Sequence, residues 1–147
     1  MIKPASILLV EDNPMDVELI VDAFKDARLA NKIQVARGGK EAIEFLFGQG
    51  EYADRRQYPL PDIVLLDLKM PGIDGHEVLR RIKDAEKLKR LPVIILTSSS
   101  DEGERAMSYD NGANSYLVKP VSFDEFLKVV KTVSDYWLTL NVEPPLD

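Results

Sequence analysis

The chain has 147 residues, 45% of them apolar and 30% charged, with 25 acidic against 19 basic side chains and a net charge of −6. That length suits one domain, and the acidic balance argues against a nucleic-acid surface spread over it, because neutralising phosphates needs a net basic face. With no cysteine there are no disulfides, thiolate metal sites or cysteine nucleophiles, and the lone histidine, His76, excludes multi-histidine metal clusters.

The first predicted element is the apolar run Ile7 to Val10. Pro14 then suits the first position of a helix, with Asn13 or Asp12 as its cap, and Val17, Ile20, Phe24 and Ala27 follow at helical spacing. Ile33 to Ala36 is a weaker strand candidate, and Ala42, Ile43, Leu46 and Phe47 form a second helical stripe. Gln49 to Pro61 is a long loop of thirteen residues. It is followed by the apolar run Ile63 to Leu66 and a compact turn from Leu68 to Asp74 around Pro71 and Gly72. Val78, Leu79 and Ile82 mark a third helix, and Val93 to Leu96 a further strand. A fourth helix near Asp101 to Asn111 has only Ala106, Met107 and Tyr109 for a packing face, so it should be loosely held, with Gly112 as a left-handed terminator. Ser115 to Val118 is the fifth strand candidate; Ser122 and Glu125 then form a capping box before Phe126, Val129, Val130, Val133 and Trp137.

The three uninterrupted runs are short, rich in β-branched residues and followed by polar or turn residues, as strands buried on both faces of a parallel sheet should be. Every gap has room for a crossover helix. The prediction is an α/β fold, (βα)5, with an open parallel sheet and helices on both faces. No run approaches the roughly 20 residues that span a bilayer and no signal peptide precedes the first strand, so a soluble, cytoplasmic chain without membrane contact is expected.

Ligands of such sheets bind beyond the carboxyl ends of the strands. The first strand ends in Glu11 and Asp12, the third in Asp67, the fourth in Thr97 and the fifth in Lys119. Clustered carboxylates repel one another, and a hard cation such as Mg²⁺, which takes one or two carboxylates and keeps waters for a phosphate to displace, relieves that repulsion. A carboxylate beside such a cation can attack phosphorus, while a lysine and a hydroxyl steady the phosphoryl oxygens. Together these groups suit phosphoryl transfer.

Leu8-Leu9-Val10-Glu11-Asp12-Asn13, Leu65-Leu66-Asp67-Leu68-Lys69-Met70-Pro71-Gly72-Ile73-Asp74-Gly75, Pro92 to Ser98 and Ala113 to Pro120 carry a family resemblance. In this order they resemble the receiver domain of two-component response regulators, from residue 5 to about residue 135. The resemblance implies a flavodoxin-like doubly wound sheet of strand order 2-1-3-4-5, and a single receiver domain over residues 1–147 (core 5–138) with no fused output domain. It implies that Asp67 accepts a phosphoryl group from a sensor histidine kinase or a histidine phosphotransfer protein. Glu11, Asp12, Asp67 and the backbone carbonyl of Lys69 would hold Mg²⁺. Lys119 would bind the phosphoryl group, and Thr97 and Tyr116 would form the switch. The implied product is a signalling switch that acts on a downstream protein target, without direct DNA binding and with no enzymatic activity beyond its own phosphorylation and dephosphorylation. The long loop and the ending with Tyr136, Trp137 and later prolines resemble regulators that partner bacterial and cyanobacterial phytochromes. Many receivers carry two aspartates where this chain has Glu11-Asp12; glutamate, one methylene longer, suits contact with the metal through water.

Singly, each residue has a plainer reading. Asp67 suits a turn, Glu11 and Asp12 a helix cap, Thr97 a polar loop and Lys119 a solvated surface. Their joint placement at four strand ends favours function. A haloacid-dehalogenase-type Mg²⁺ phosphatase would need a general acid where Lys69 stands. A phosphorylation-independent pseudo-receiver scaffold would have lost some of these groups. A flavodoxin-like cofactor protein would need a Thr- or Gly-rich phosphate loop after the first strand, and none is there. His76 is expected to be exposed, and the basic residues between Arg80 and Arg90 to form a solvated helix face. Tyr52, Arg55, Arg56 and Tyr58 form either a partner surface or a self-packed loop, and Tyr136 with Trp137 either covers the open end of the core or builds a homodimer seam.

Overall fold

Alternation along three short strands explains why the runs 7–10, 63–66 and 93–96 within them carry no polar residue. The structure, a computed structural model, describes residues 5–26, 30–97, 102–113 and 115–118. Its strands are β1 (Ala5–Val10), β2 (Ala30–Ala36), β3 (Ile63–Leu66), β4 (Val93–Thr97) and β5 (Ser115–Val118), all parallel and in the order β2-β1-β3-β4-β5. Leu8, Val10, Val64, Leu66, Val93 and Ile95 point into one core, and Ile7, Leu9, Ile63, Leu65 and Ile94 into a second on the opposite face. Every one of these side chains is buried, so neither face tolerates a polar residue. The predicted α/β class and strand order are the observed ones.

The helices divide between the two faces. α1 (Pro14–Asp26) covers one through Val17, Ile20, Ala23 and Phe24; α2 (Gly39–Phe47) and α3 (Gly75–Asp84) cover the other. Asn13 is the cap of α1: its Oδ1 accepts from the backbone N–H of Met15 at 2.9 Å and of Asp16 at 3.3 Å. Asp12 is thereby released from the capping role the sequence left open to it. Asp74 caps α3 by accepting from the Glu77 N–H at 3.0 Å. α4 (Glu102–Asp110) ends as predicted, with Gly112 at φ 98°, its N–H on the Tyr109 carbonyl and that of Ala113 on Ser108, which together make a Schellman motif.

Three expectations need correction. Met107 and Tyr109 are exposed, and Ser108 between them is fully buried, so α4 is turned with its serine inward and its larger side chains outward. His76 is half-buried rather than exposed, and its Nδ1 is enclosed with no hydrogen-bond partner among the described residues. Lys83 leaves the solvated basic face: its Nζ donates to the carbonyls of Lys89 (3.2 Å) and Leu91 (2.9 Å), and burial lowers its pKa. The remaining basic residues from Arg80 to Arg90 are exposed as expected.

The long loop is self-packed. It opens with a single 3₁₀ turn at Gly50–Tyr52, and the Tyr52 ring, 5% exposed, meets Phe45 and Tyr58 edge-on at 5.2 and 5.0 Å. Burial first, and the Glu41 carboxylate that accepts from its hydroxyl at 2.9 Å, raise the pKa of this phenol. Arg55 sends Nη1 to the carbonyls of Phe45 (2.7 Å) and Tyr58 (3.1 Å) and Nη2 to that of Leu46 (2.6 Å), tying the loop to the last turn of α2. Ala27, Lys119 and the capping box and stripe from Ser122 to Trp137 lie outside the described residues.

Candidate metal and phosphoryl site

Two backbone hydrogen bonds extend the sheet into its carboxyl edge. The Glu11 N–H donates to the Ala36 carbonyl and the Asp67 N–H to the Val10 carbonyl, each at 3.0 Å. Glu11 and Asp67 are thus held by neighbouring strands beyond the last residues of β1 and β3. Their side chains and that of Asp12 bring one carboxylate oxygen each to within 4.8 Å of one another. Glu11 is 1% exposed, Asp67 8%, and Asp12 is half-buried. Glu11 Oε2 also accepts from the Asn13 N–H at 3.3 Å.

Two carboxylates at that separation repel by about 3 kcal/mol at an effective dielectric constant of 20. Cores do not gather such charges for packing. Three hard oxygen donors, two of them buried, fit a small divalent cation such as Mg²⁺, which also keeps water ligands for exchange.

The loop after Asp67 is fixed at both ends. The Gly75 N–H returns to the Leu68 carbonyl at 3.0 Å, Leu68 and Met70 are buried, and Lys69 between them is exposed. Gly72 at φ 75° takes the left-handed turn. Two further glycines let helices close on this loop. A Cβ on Gly75 would lie 2.7 Å from Leu68 Cα and 2.9 Å from the Asp67 carbonyl carbon, and would overlap the Asp67 oxygen. A Cβ on Gly39 would overlap the Ile73 carbonyl in the same way. Neither glycine figured in the sequence-based site. The signal for Gly75 was its place directly after the cap Asp74, at the first residue of a helix.

Thr97 ends β4, and the register that pairs Leu66 with Ile95 carries it to the level of the loop just after Asp67. Tyr116 pairs with Ile95 on the neighbouring edge strand β5. Glu11, Asp12 and Asp67 are brought together as expected, with Lys69 two residues along the adjoining loop, while Lys119 lies outside the described residues.

The chain matches the family model of the response regulator receiver domain over residues 7–131. It is 40% identical over 141 residues to the probable methanogenesis regulatory protein FilR2 of Methanothrix harundinacea, spanning 96% of this chain and 88% of that one. The phosphorylated cyanobacterial phytochrome response regulator RcpA superposes with a TM-score of 0.89 at 36% identity, over 97% of this chain and all of the other. The Mn²⁺-bound form of response regulator Rcp1, a protein of Synechocystis, does so with a TM-score of 0.86 at 37% identity and the same coverage.

Proposed function

This chain belongs to the response regulator receiver domain family, and we infer that Asp67 is its phosphoryl acceptor. The observation that carries this reading is the meeting of Glu11, Asp12 and Asp67 at the carboxyl edge of the sheet, with Asp12 unused as a cap. A carboxylate oxygen of Asp67 attacks the phosphorus of a phosphohistidine; the P–N bond breaks, the imidazole leaves and an acyl phosphate forms. Glu11, Asp12, Asp67 and the Lys69 carbonyl hold Mg²⁺, which when bound neutralises charge on the phosphoryl oxygens. The Lys119 ammonium and the Thr97 hydroxyl engage the oxygens that remain.

The donor is a sensor histidine kinase or a histidine phosphotransfer protein, and likeness to the phytochrome response regulator RcpA supports a phytochrome-type kinase. The output is a changed set of protein contacts, with a downstream protein or a second copy of the chain, and not DNA binding, in keeping with the net charge of −6. No helix among the described residues is long and apolar enough to cross a membrane, and a cytoplasmic setting fits a kinase partner. The chain catalyses only its own phosphorylation and dephosphorylation. A phosphatase of the haloacid-dehalogenase type lacks support, since Lys69 occupies the general-acid position.

Mg²⁺ should stabilise the fold by RT ln(1 + [L]/Kd), about 1.4 kcal/mol at ten times Kd, and Asp12→Ala should remove most of that gain. Thermal melts with and without Mg²⁺ measure it; an equal gain in parent and variant would show that the acids are not a metal site. Thr97→Ala should still take phosphate on Asp67 and bind beryllofluoride, yet lose the change in hydrogen exchange over residues 102–118 that beryllofluoride induces in the parent. Equal responses in parent and variant would remove Thr97 from the switch.

A further inference from the structure

We propose that the surface around Phe47 docks an acidic, apolar segment of a partner protein, at the edge of the sheet opposite the acid cluster. Phe47, 40% exposed, stands between two clefts of about 400 and 580 Å³ that also share Ala85. Ile43 floors the smaller, and Leu46, Leu60 and Leu88 line the larger. The larger cleft includes Pro59 and Leu60, which lead directly into the start of β3, whereas Asp67 follows its end. A partner seated here leaves the carboxyl edge open to a phosphoryl donor.

The rim selects the charge of that partner. Between residues 80 and 90 six basic side chains face two acidic ones, on a chain whose net charge is −6. Arg80 is taken by Glu77, Lys89 by Glu86 at 2.8 Å, and Lys83 by backbone carbonyls. Among the described residues Arg81 has only the already shared Glu77, at 3.9 Å, and exposed Lys87 makes no ion pair. Both line the clefts, one on each side of Phe47. Carboxylates opposite these two cations, with apolar side chains beside Phe47, complement the surface. Nucleic acid complements it less well, since the apolar floor has no phosphate to meet and Asp84 and Glu86 also line the clefts. The walls are preformed: Arg55 ties the loop to the end of α2, and the Phe45, Tyr52 and Tyr58 rings interlock beneath it, so little ordering entropy is lost on docking.

The probe is a synthetic helical peptide with leucines three and four positions apart, flanked by glutamates. Titrated into the ¹⁵N-labelled protein, it should give saturable shifts confined to residues 43–60 and 80–90. Phe47→Ser should weaken binding by about tenfold or more. The double variant Arg81→Glu, Lys87→Glu should prefer the same peptide with lysines in place of glutamates. Labelling of Asp67 by acetyl phosphate should be unaffected in both variants, which separates this surface from the phosphoryl site. The proposal is overturned by any of four results: no saturable shift up to millimolar peptide, shifts centred on Met107 and Tyr109, indifference to the charge of the peptide, or tighter binding of a DNA duplex to the same residues.

Discussion

Replacing Asp67 by asparagine should abolish phosphoryl uptake and leave the fold intact. Asparagine keeps the size and hydrogen-bonding reach of aspartate, so the packing of a side chain only 8% exposed is retained, but its neutral amide oxygen is a poor nucleophile toward phosphorus. The substitution also removes one of three negative charges held within 4.8 Å, and with it two of the three mutual repulsions. In chelator the variant should therefore melt no lower than the parent, while its stabilisation by Mg²⁺ shrinks. Mass spectrometry after incubation with acetyl phosphate and Mg²⁺ should find the parent modified at Asp67 and the variant unmodified. Phosphate on the variant, at another carboxylate, would take the acceptor role from Asp67. A lower melting temperature in chelator would mean that the aspartate was supporting the fold.

The strands were legible because burial on both faces leaves a chemical trace: Ile63 to Leu66 carries no polar residue, and none could be tolerated there. Strand ends then located the acids without further information, since parallel topology gathers Glu11, Asp12 and Asp67 whatever their separation in sequence. α4 was less legible. Its packing face was assigned by apolarity, but the helix is short, and the phase that buries Ser108 leaves Met107 and Tyr109 in solvent. Serine is small enough to lie against a sheet, and nothing in its type announces that. Lys83 was missed for a related reason: its aliphatic stem packs beneath Gly112 while its amine reaches backbone carbonyls that only the folded α3–β4 connection presents. The fit of Gly39 and Gly75 is likewise a property of backbone approach, for which a sequence carries no periodicity.

Gly75 makes that last point measurable. Alanine in place of glycine inside a helix ordinarily adds up to about 1 kcal/mol, through propensity and a less flexible unfolded chain. At Gly75 the sign should reverse. The added Cβ would overlap the Asp67 carbonyl oxygen and lie 2.7 Å from Leu68 Cα, and these are backbone atoms that no rotamer change can move aside. Either α3 retreats from the sheet, loosening Val78, Leu79 and Ile82, or the Asp67–Leu68 peptide shifts; overpacking of this kind costs about 1–3 kcal/mol. Gly38→Ala is the control. Gly38 is in extended backbone at φ −178° with open space where a Cβ would go, so alanine there should cost only the lower preference of alanine for the N-cap of α2, under about 1 kcal/mol. Urea unfolding of the two variants should separate them clearly, with an unchanged slope for Gly38→Ala. Gly75→Ala should also lose part of the stabilisation by Mg²⁺, because the displaced peptide is that of Asp67 itself and leads into Lys69. If Gly75→Ala proves as stable and as responsive to Mg²⁺ as the parent, the close approach of α3 to this loop does not position the acid.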